Sequence, residues 1–158
     1  MGRSTNPALE MAFYFDGMKD TCALQYSAHH ANHMPVGVTP SIVNTSNAPA
    51  LYAVAAVLID ARLEVLTTKY ENRGRTKSND GLSLLAFSVT FNAARQMPIF
   101  KEQPVVLPNL GIVVPETVIF QKEPFHIGYE VRAPGCFKSG VGKIEVESAN
   151  IMRIKMQP

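Results

Sequence analysis

Residues 48–59 read Ala-Pro-Ala-Leu-Tyr-Ala-Val-Ala-Ala-Val-Leu-Ile, twelve consecutive apolar positions in a chain of 158. No other stretch restricts the possible folds as strongly. A membrane-spanning helix takes ~20 such residues, so the run belongs to a protein core. Ser46 or Asn47 can cap a helix, and Pro49 suits its first turn, where N–H groups have no intrahelical acceptor. The expectation is one long helix over about 48–72, with Gly74 as its stop. Tyr52, Ala55, Ala56, Ile59, Leu63, Leu66 and Tyr70 make a stripe at helical spacing. Leu51, Val54, Val57 and Leu58 lie around the other sides, so the first half is apolar all round. Asp60, Glu64 and Glu71 fall outside the stripe and make the second half amphipathic. A helix of this kind is wrapped by a curved sheet or shared with a neighbour.

Elsewhere the period is two. Leu9, Met11, Phe13 and Phe15 share a face; Asp16-Gly17 is a hairpin-turn dipeptide; Cys22, Leu24 and Tyr26 alternate on the return. This predicts a hairpin of Leu9–Phe15 with Thr21–Ser27. Residues 29–47 read as irregular. Leu82–Asn92 alternates, with Leu85, Phe87, Val89 and Phe91 on one face. Met97–Gly111 is interrupted by Pro98, Pro104 and Pro108 and reads as loop or edge strand. Ile112–Gln121 and Phe125–Arg132 read as strands, a glycine-rich turn spans Ala133–Gly142, and Val141–Ser148 with Asn150–Met156 is one long strand or a last hairpin. The fold class expected is α+β, a mainly antiparallel curved sheet packed around one central helix, in a single domain over 1–158.

Composition narrows the class. Apolar residues are 46% of the chain, which excludes a disordered acidic or basic tail. Charged residues are 18% of the chain, which is low beside the about 25% of typical domains. A chain so poor in charge is expected to have part of its surface covered by further copies or by a partner; the alternative is a monomer with a Ser/Thr/Asn-rich surface. Cys22 and Cys136 fit no zinc or redox spacing. The first seven residues lack the apolar stretch of a signal peptide, so reduced thiols and a cytoplasmic location are expected, and the sequon Asn44-Thr45-Ser46 carries no glycan.

Three clusters are chemically suggestive. His29, His30 and His33 have spacings that could set two imidazoles on one metal in a helix, but Pro35 and Gly37 oppose a helix there and no carboxylate is close. The segment Lys69–Ser78 holds Lys69, Arg73, Arg75 and Lys77 against Glu71. Its +3 exceeds the +2 of the whole chain, so positive charge is concentrated in ten residues. Guanidinium forks with Ser/Thr hydroxyls suit phosphates; the bland alternative is a helix C-terminus favoured by the macrodipole. The third cluster, Gly135–Lys143, carries three glycines with Lys138 and Lys143, and open backbone N–H groups beside lysine can hold an anion or an RNA backbone. It is not a P-loop, because a strand follows it. Its order Lys-Ser-Gly-Val-Gly is similar to glycine-rich loops of RNA-binding ferredoxin-like proteins, but the lone long helix fits that fold poorly.

No nucleophile elbow, Cys–His pair, paired-carboxylate motif or dinucleotide fingerprint is present. The leading expectation is therefore a non-enzymatic binding or assembly protein, with no cofactor and no metal. It is a subunit of a homo-oligomer or larger nucleic-acid-associated or virion-like complex, with Lys69, Arg73, Arg75, Lys77, Lys138 and Lys143 facing an anionic partner. The second expectation comes from element order. One long helix followed by long strands resembles the outline of hotdog-type acyl-thioester enzymes, which would imply a dimeric thioesterase or dehydratase using His30, His33 or Asn47. The absence of a carboxylate between Asp20 and Asp60 weakens it.

Overall fold

The computed structural model describes residues 6–15, 20–23, 35–78, 80–92, 98–114, 123–147 and 151–157. Among them are twelve strands: β1 (Leu9–Phe15), β2 (Thr21–Ala23), β3 (Val36–Asn44), β4 (Tyr52–Asp60), β5 (Glu64–Leu66), β6 (Glu71–Lys77), β7 (Ser83–Asn92), β8 (Val105–Val106), β9 (Leu110–Val113), β10 (Phe125–Ala133), β11 (Cys136–Glu147) and β12 (Ile151–Met156). They form two antiparallel sheets. One has the order β1-β3-β9-β5, with β8 also on β3; the other runs β2-β12-β11-β10-β4-β7-β6. Their facing sides make the core. Leu9, Met11, Phe13, Phe15, Val38, Ile42, Leu110 and Ile112 come from the smaller sheet. Ala53, Ala55, Val57, Ile59, Phe87, Phe91, Phe125, Ile127, Val131, Ile144, Met152 and Ile154 come from the larger.

The expected α+β class and its helix over 48–72 are wrong. The described residues contain no helix, and this stretch is β4, a turn, β5, a second turn and β6. The reason lies in the run itself. β4 is central, hydrogen-bonded to β10 on one side and β7 on the other. Its inward residues Ala53, Ala55, Val57 and Ile59 are buried, while outward Val54, Ala56 and Leu58 are half-buried. A central strand apolar on both faces has no visible alternation, so it looks like a helix apolar all round. The β-branched Val54, Val57 and Ile59 suit the strand. Ser46 and Asn47 cap nothing. Instead, buried Asn44 accepts from the Ser46 N–H (2.9 Å) and donates to the Ala48 and Ile99 carbonyls (2.7 and 2.9 Å), which pins the 45–49 turn. With the helix goes the outline that suggested a hotdog enzyme.

The first hairpin is also corrected. β1 pairs along its full length with β3, and β2 pairs with β12 in the other sheet. The alternation in β1 is present as expected, but the turn dipeptide does not choose its partner. β3 falls in a stretch read as irregular, and Pro40 sits inside it, opposite Phe13. The glycine-rich turn over 133–142 shrinks to Pro134-Gly135, because β11 already begins at Cys136. Gly140 is needed there for close approach: a Cβ at this position would run into the ring of buried Tyr129. β7, β10 and the β11–β12 hairpin match the sequence reading.

No helix among the described residues is long and apolar enough to cross a membrane.

Candidate functional site

The outward face of the seven-stranded sheet carries a groove of about 980 Å³. Strand register builds its floor. Ala86 on β7 stands opposite Leu58 on β4, Leu58 opposite Gly128 on β10, and Gly128 opposite Val141 on β11, with Gly74 of β6 next to Ala86. This rung crosses five strands without a charge. The next rung holds Glu71, Ser88, Ala56, Glu130 and Ser139. Small side chains at alternate positions keep the floor low, while Val141 is 55% exposed.

The cations stand at the rims. Arg73, Arg75 and Lys77 border the groove from β6, and Lys143 borders it from β11. Asp80 and Glu130 are the carboxylates in its lining, so four permanent cations face two anions there. β6 is the sheet edge, and all seven of its residues are exposed. Between Asn72 and Gly74 its register slips, leaving Arg73 as the extra residue of a β-bulge. Gly74 turns there through a φ of 82°, a left-handed conformation that suits glycine. The bulge aims Arg73 across the sheet: its Nε donates to the Ser88 hydroxyl at 3.0 Å, and its Nη1 is 3.3 Å from Glu71. Among the described residues, Arg75, Lys77 and Lys143 make no ion pair.

Of the six residues picked from sequence, four are thus gathered on one groove and two are not. Lys69 lies in the turn before β6, away from the groove lining. Lys138 stands opposite Val131, on the core-facing side of β11, and reaches Glu10 at 4.0 Å. Lys138 and Lys143 are five residues apart on one strand and so point to opposite faces. The predicted settings were wrong for both clusters: Arg73–Lys77 is an edge strand and no helix terminus, and Gly135–Lys143 is mostly strand.

A second hollow, of about 610 Å³, shares Arg75, Leu82 and His126 with the groove. Its wall is a charge network that sequence reading missed. Asp60, 4% exposed, ends β4. Its Oδ1 accepts from the Arg62 N–H and Nε, both at 3.0 Å; its Oδ2 accepts from Arg62 Nη2 at 2.8 Å and the His126 N–H at 2.9 Å. Arg62 also donates to the Pro124 carbonyl (2.8 Å) and to Glu123 (3.2 Å), and its guanidinium lies 5.0 Å from the Phe125 ring centre. Burial pushes the Asp60 carboxyl up, but the Arg62 hydrogen bonds, the His126 N–H and the guanidinium charge outweigh it and hold the group below the usual carboxylate range. The network clamps the turn after β4 to the start of β10. The available signal was Asp-Ala-Arg after an apolar strand, legible only if the strand had been recognised.

The histidines 29, 30 and 33 lie outside the described residues. Among the described residues no three His, Cys, Asp or Glu side chains are grouped to hold a metal. Cys136 is a free, half-buried thiol beside the Leu9 N–H. No family model and no curated protein matches the chain.

Proposed function

We propose that this is a non-enzymatic binding and assembly protein that docks an anionic partner in the groove of its seven-stranded sheet. The observation that carries this reading is the convergence of Arg73, Arg75, Lys77 and Lys143 on one groove from strands far apart in sequence. Charged residues on an exposed edge strand also discourage edge-to-edge pairing. Lys143 is not on that edge, however, and edge protection does not account for it.

In this reading the chain is a subunit of an oligomer or larger nucleic-acid-associated or virion-like assembly, in a reducing, cytoplasmic setting that suits its free thiol. The outward face of the five-stranded sheet suits further copies. It presents Ala12, Tyr14, Thr39, Val43, Leu66 and Val106, with Glu10 and Glu64 as carboxylates among the described residues. Leu66 and Val106 are 47% and 60% exposed.

Light scattering coupled to size exclusion, with absorbance at 260 and 280 nm read before any nuclease step, tests both parts. The chain has no Trp, so nucleic acid that co-purifies stands out. The expected result is an oligomer whose 260 nm excess is stripped by high salt. A salt-insensitive monomer that passes through a heparin column at low salt overturns the reading. The double substitution Arg73→Ala, Arg75→Ala should elute earlier from heparin. Both side chains are exposed, so its stability should stay within about 0.5 kcal/mol of wild type.

A further inference from the structure

We propose that the partner in the groove is a single-stranded nucleic acid whose phosphates follow the β6 rim while its bases lie over the uncharged floor. This rests on the anion-docking reading above and names its ligand class. Along β6, Arg75 and Lys77 stand opposite Leu85 and Ser83 at the sheet edge, one two-residue step of about 6.8 Å apart, while the bulge sets Arg73 on the groove face beside Ser88. That step is comparable to the reach between neighbouring phosphates of an extended polynucleotide. From this rim the floor runs through Ala86, Leu58 and Gly128 to Val141. Four inter-strand gaps make it about 19 Å wide. The opposite rim offers Lys143, with His126 as its register partner.

The charge pattern across the groove selects against other polyanions. Its middle is apolar and bordered by Glu130, so the part of the ligand lying there must be uncharged and present flat apolar faces. Bases do this. A sulfated glycan is charged along its whole length and would set sulfates against Glu130. A duplex hides its base faces in the stack and presents phosphates instead. An acidic peptide joining the sheet would need a regular edge, and the bulge at Arg73 and Gly74 breaks it. No aromatic side chain lies on the floor; Tyr129, whose backbone lines it, turns its ring into the core beside Phe13. Base contact is therefore with Leu58 and Val141, and sequence preference should be weak.

The test is fluorescence anisotropy on the full chain with four labelled probes: an eight-nucleotide oligouridine, a duplex of equal length, a heparin-derived oligosaccharide and a polyglutamate peptide. Three phosphates met by Arg73, Arg75 and Lys77 on the β6 rim give a salt slope of about −2 for a single strand, so raising salt from about 50 to 500 mM should weaken oligouridine binding about 100-fold. Arg75→Glu with Lys77→Glu should weaken it at least tenfold, and Lys69→Glu, away from the groove, should do much less. Ala86→Phe fills the floor without changing charge; it should weaken oligouridine several-fold and leave heparin binding unaltered. Ser139→Phe, at an exposed position on the far side, repeats the test if Ala86→Phe fails to fold by circular dichroism. Equal affinity for duplex or heparin, with no effect of either floor variant, overturns the single-strand assignment and leaves anion docking standing. Binding of polyglutamate alone does the same. No binding of any probe at 50 mM salt overturns both.

Discussion

Replacing Asp60 by Asn isolates the clamp that holds the end of β4 to the start of β10. The carboxylate accepts four hydrogen bonds within 3.0 Å, two from backbone N–H groups and two from Arg62. Asn keeps one acceptor oxygen and turns an NH₂ toward groups that are all donors. One backbone N–H then loses its acceptor, which costs about 1–3 kcal/mol when buried. Breaking a fully buried ion pair costs about 3–5 kcal/mol, but Arg62 is 30% exposed and keeps Pro124 and Glu123, so the low end applies. The sum of these effects is about 3 kcal/mol, a large part of the roughly 5–15 kcal/mol that holds a domain together. Urea unfolding followed by circular dichroism measures it as a lower midpoint at unchanged slope.

The pH dependence supplies an independent check. The folded carboxyl titrates below its unfolded counterpart. Its contribution is therefore complete above the unfolded value of about 3.9 and disappears as pH falls through the lower, folded value. Wild type and Asp60→Asn should differ fully at pH 7 and converge in strong acid. A difference under about 1 kcal/mol at pH 7, or one that persists unchanged into strong acid, would refute the reasoning that the carboxylate carries the clamp.

Other substitutions probe the frame around the groove. Gly140→Ala drives a methyl into the buried Tyr129 ring. It should destabilise by about 1–3 kcal/mol, read as a lower urea midpoint; an unchanged midpoint would mean the ring has room to move. Asn44→Ala strips the 45–49 turn of its anchor and leaves the buried Ile99 carbonyl without one of its donors. A loss of about 2 kcal/mol is expected for it in thermal melts. Tyr70→Phe removes the phenol hydrogen bond to the Pro108 carbonyl and should cost about 1 kcal/mol by urea unfolding. Burial also pushes the Tyr70 phenol above its ordinary range, so its absorbance should still be that of the protonated form when exposed tyrosines have ionised.

Much of the strand content was legible. In β10, and in β7 from Leu85 on, an apolar residue inside and a polar or small one outside alternate without a break, because each strand has one face on the core and one on the groove. The 48–72 region was not legible, because its composition answers two questions alike. Tyr52, Ala55, Ala56 and Ile59 fit a helical stripe, while Ala53, Ala55, Val57 and Ile59 fit a strand face. Local propensity does not separate the two when both faces are covered. The basic segment was found from charge concentration alone, yet its setting was not, since the bulge at Arg73 appears only when β6 is laid against β7.

The amino-acid sequence by itself determined the core alternation of β1, β7 and β10 and the concentration of positive charge at 69–77; the last two strands it left open as one long strand or a hairpin. Alternation and charge concentration are local properties of period and composition. The tertiary structure decided which strands pair, and so everything that depends on pairing. β4 is a strand because residues 84–92 and 127–132 supply its hydrogen bonds from both sides. Lys143 borders the groove while Lys138 does not, because register and the two-residue pleat assign one lysine to each face of β11. Hydrogen-bond partners distant in the chain are chosen by the whole core at once, and no window of sequence contains that choice.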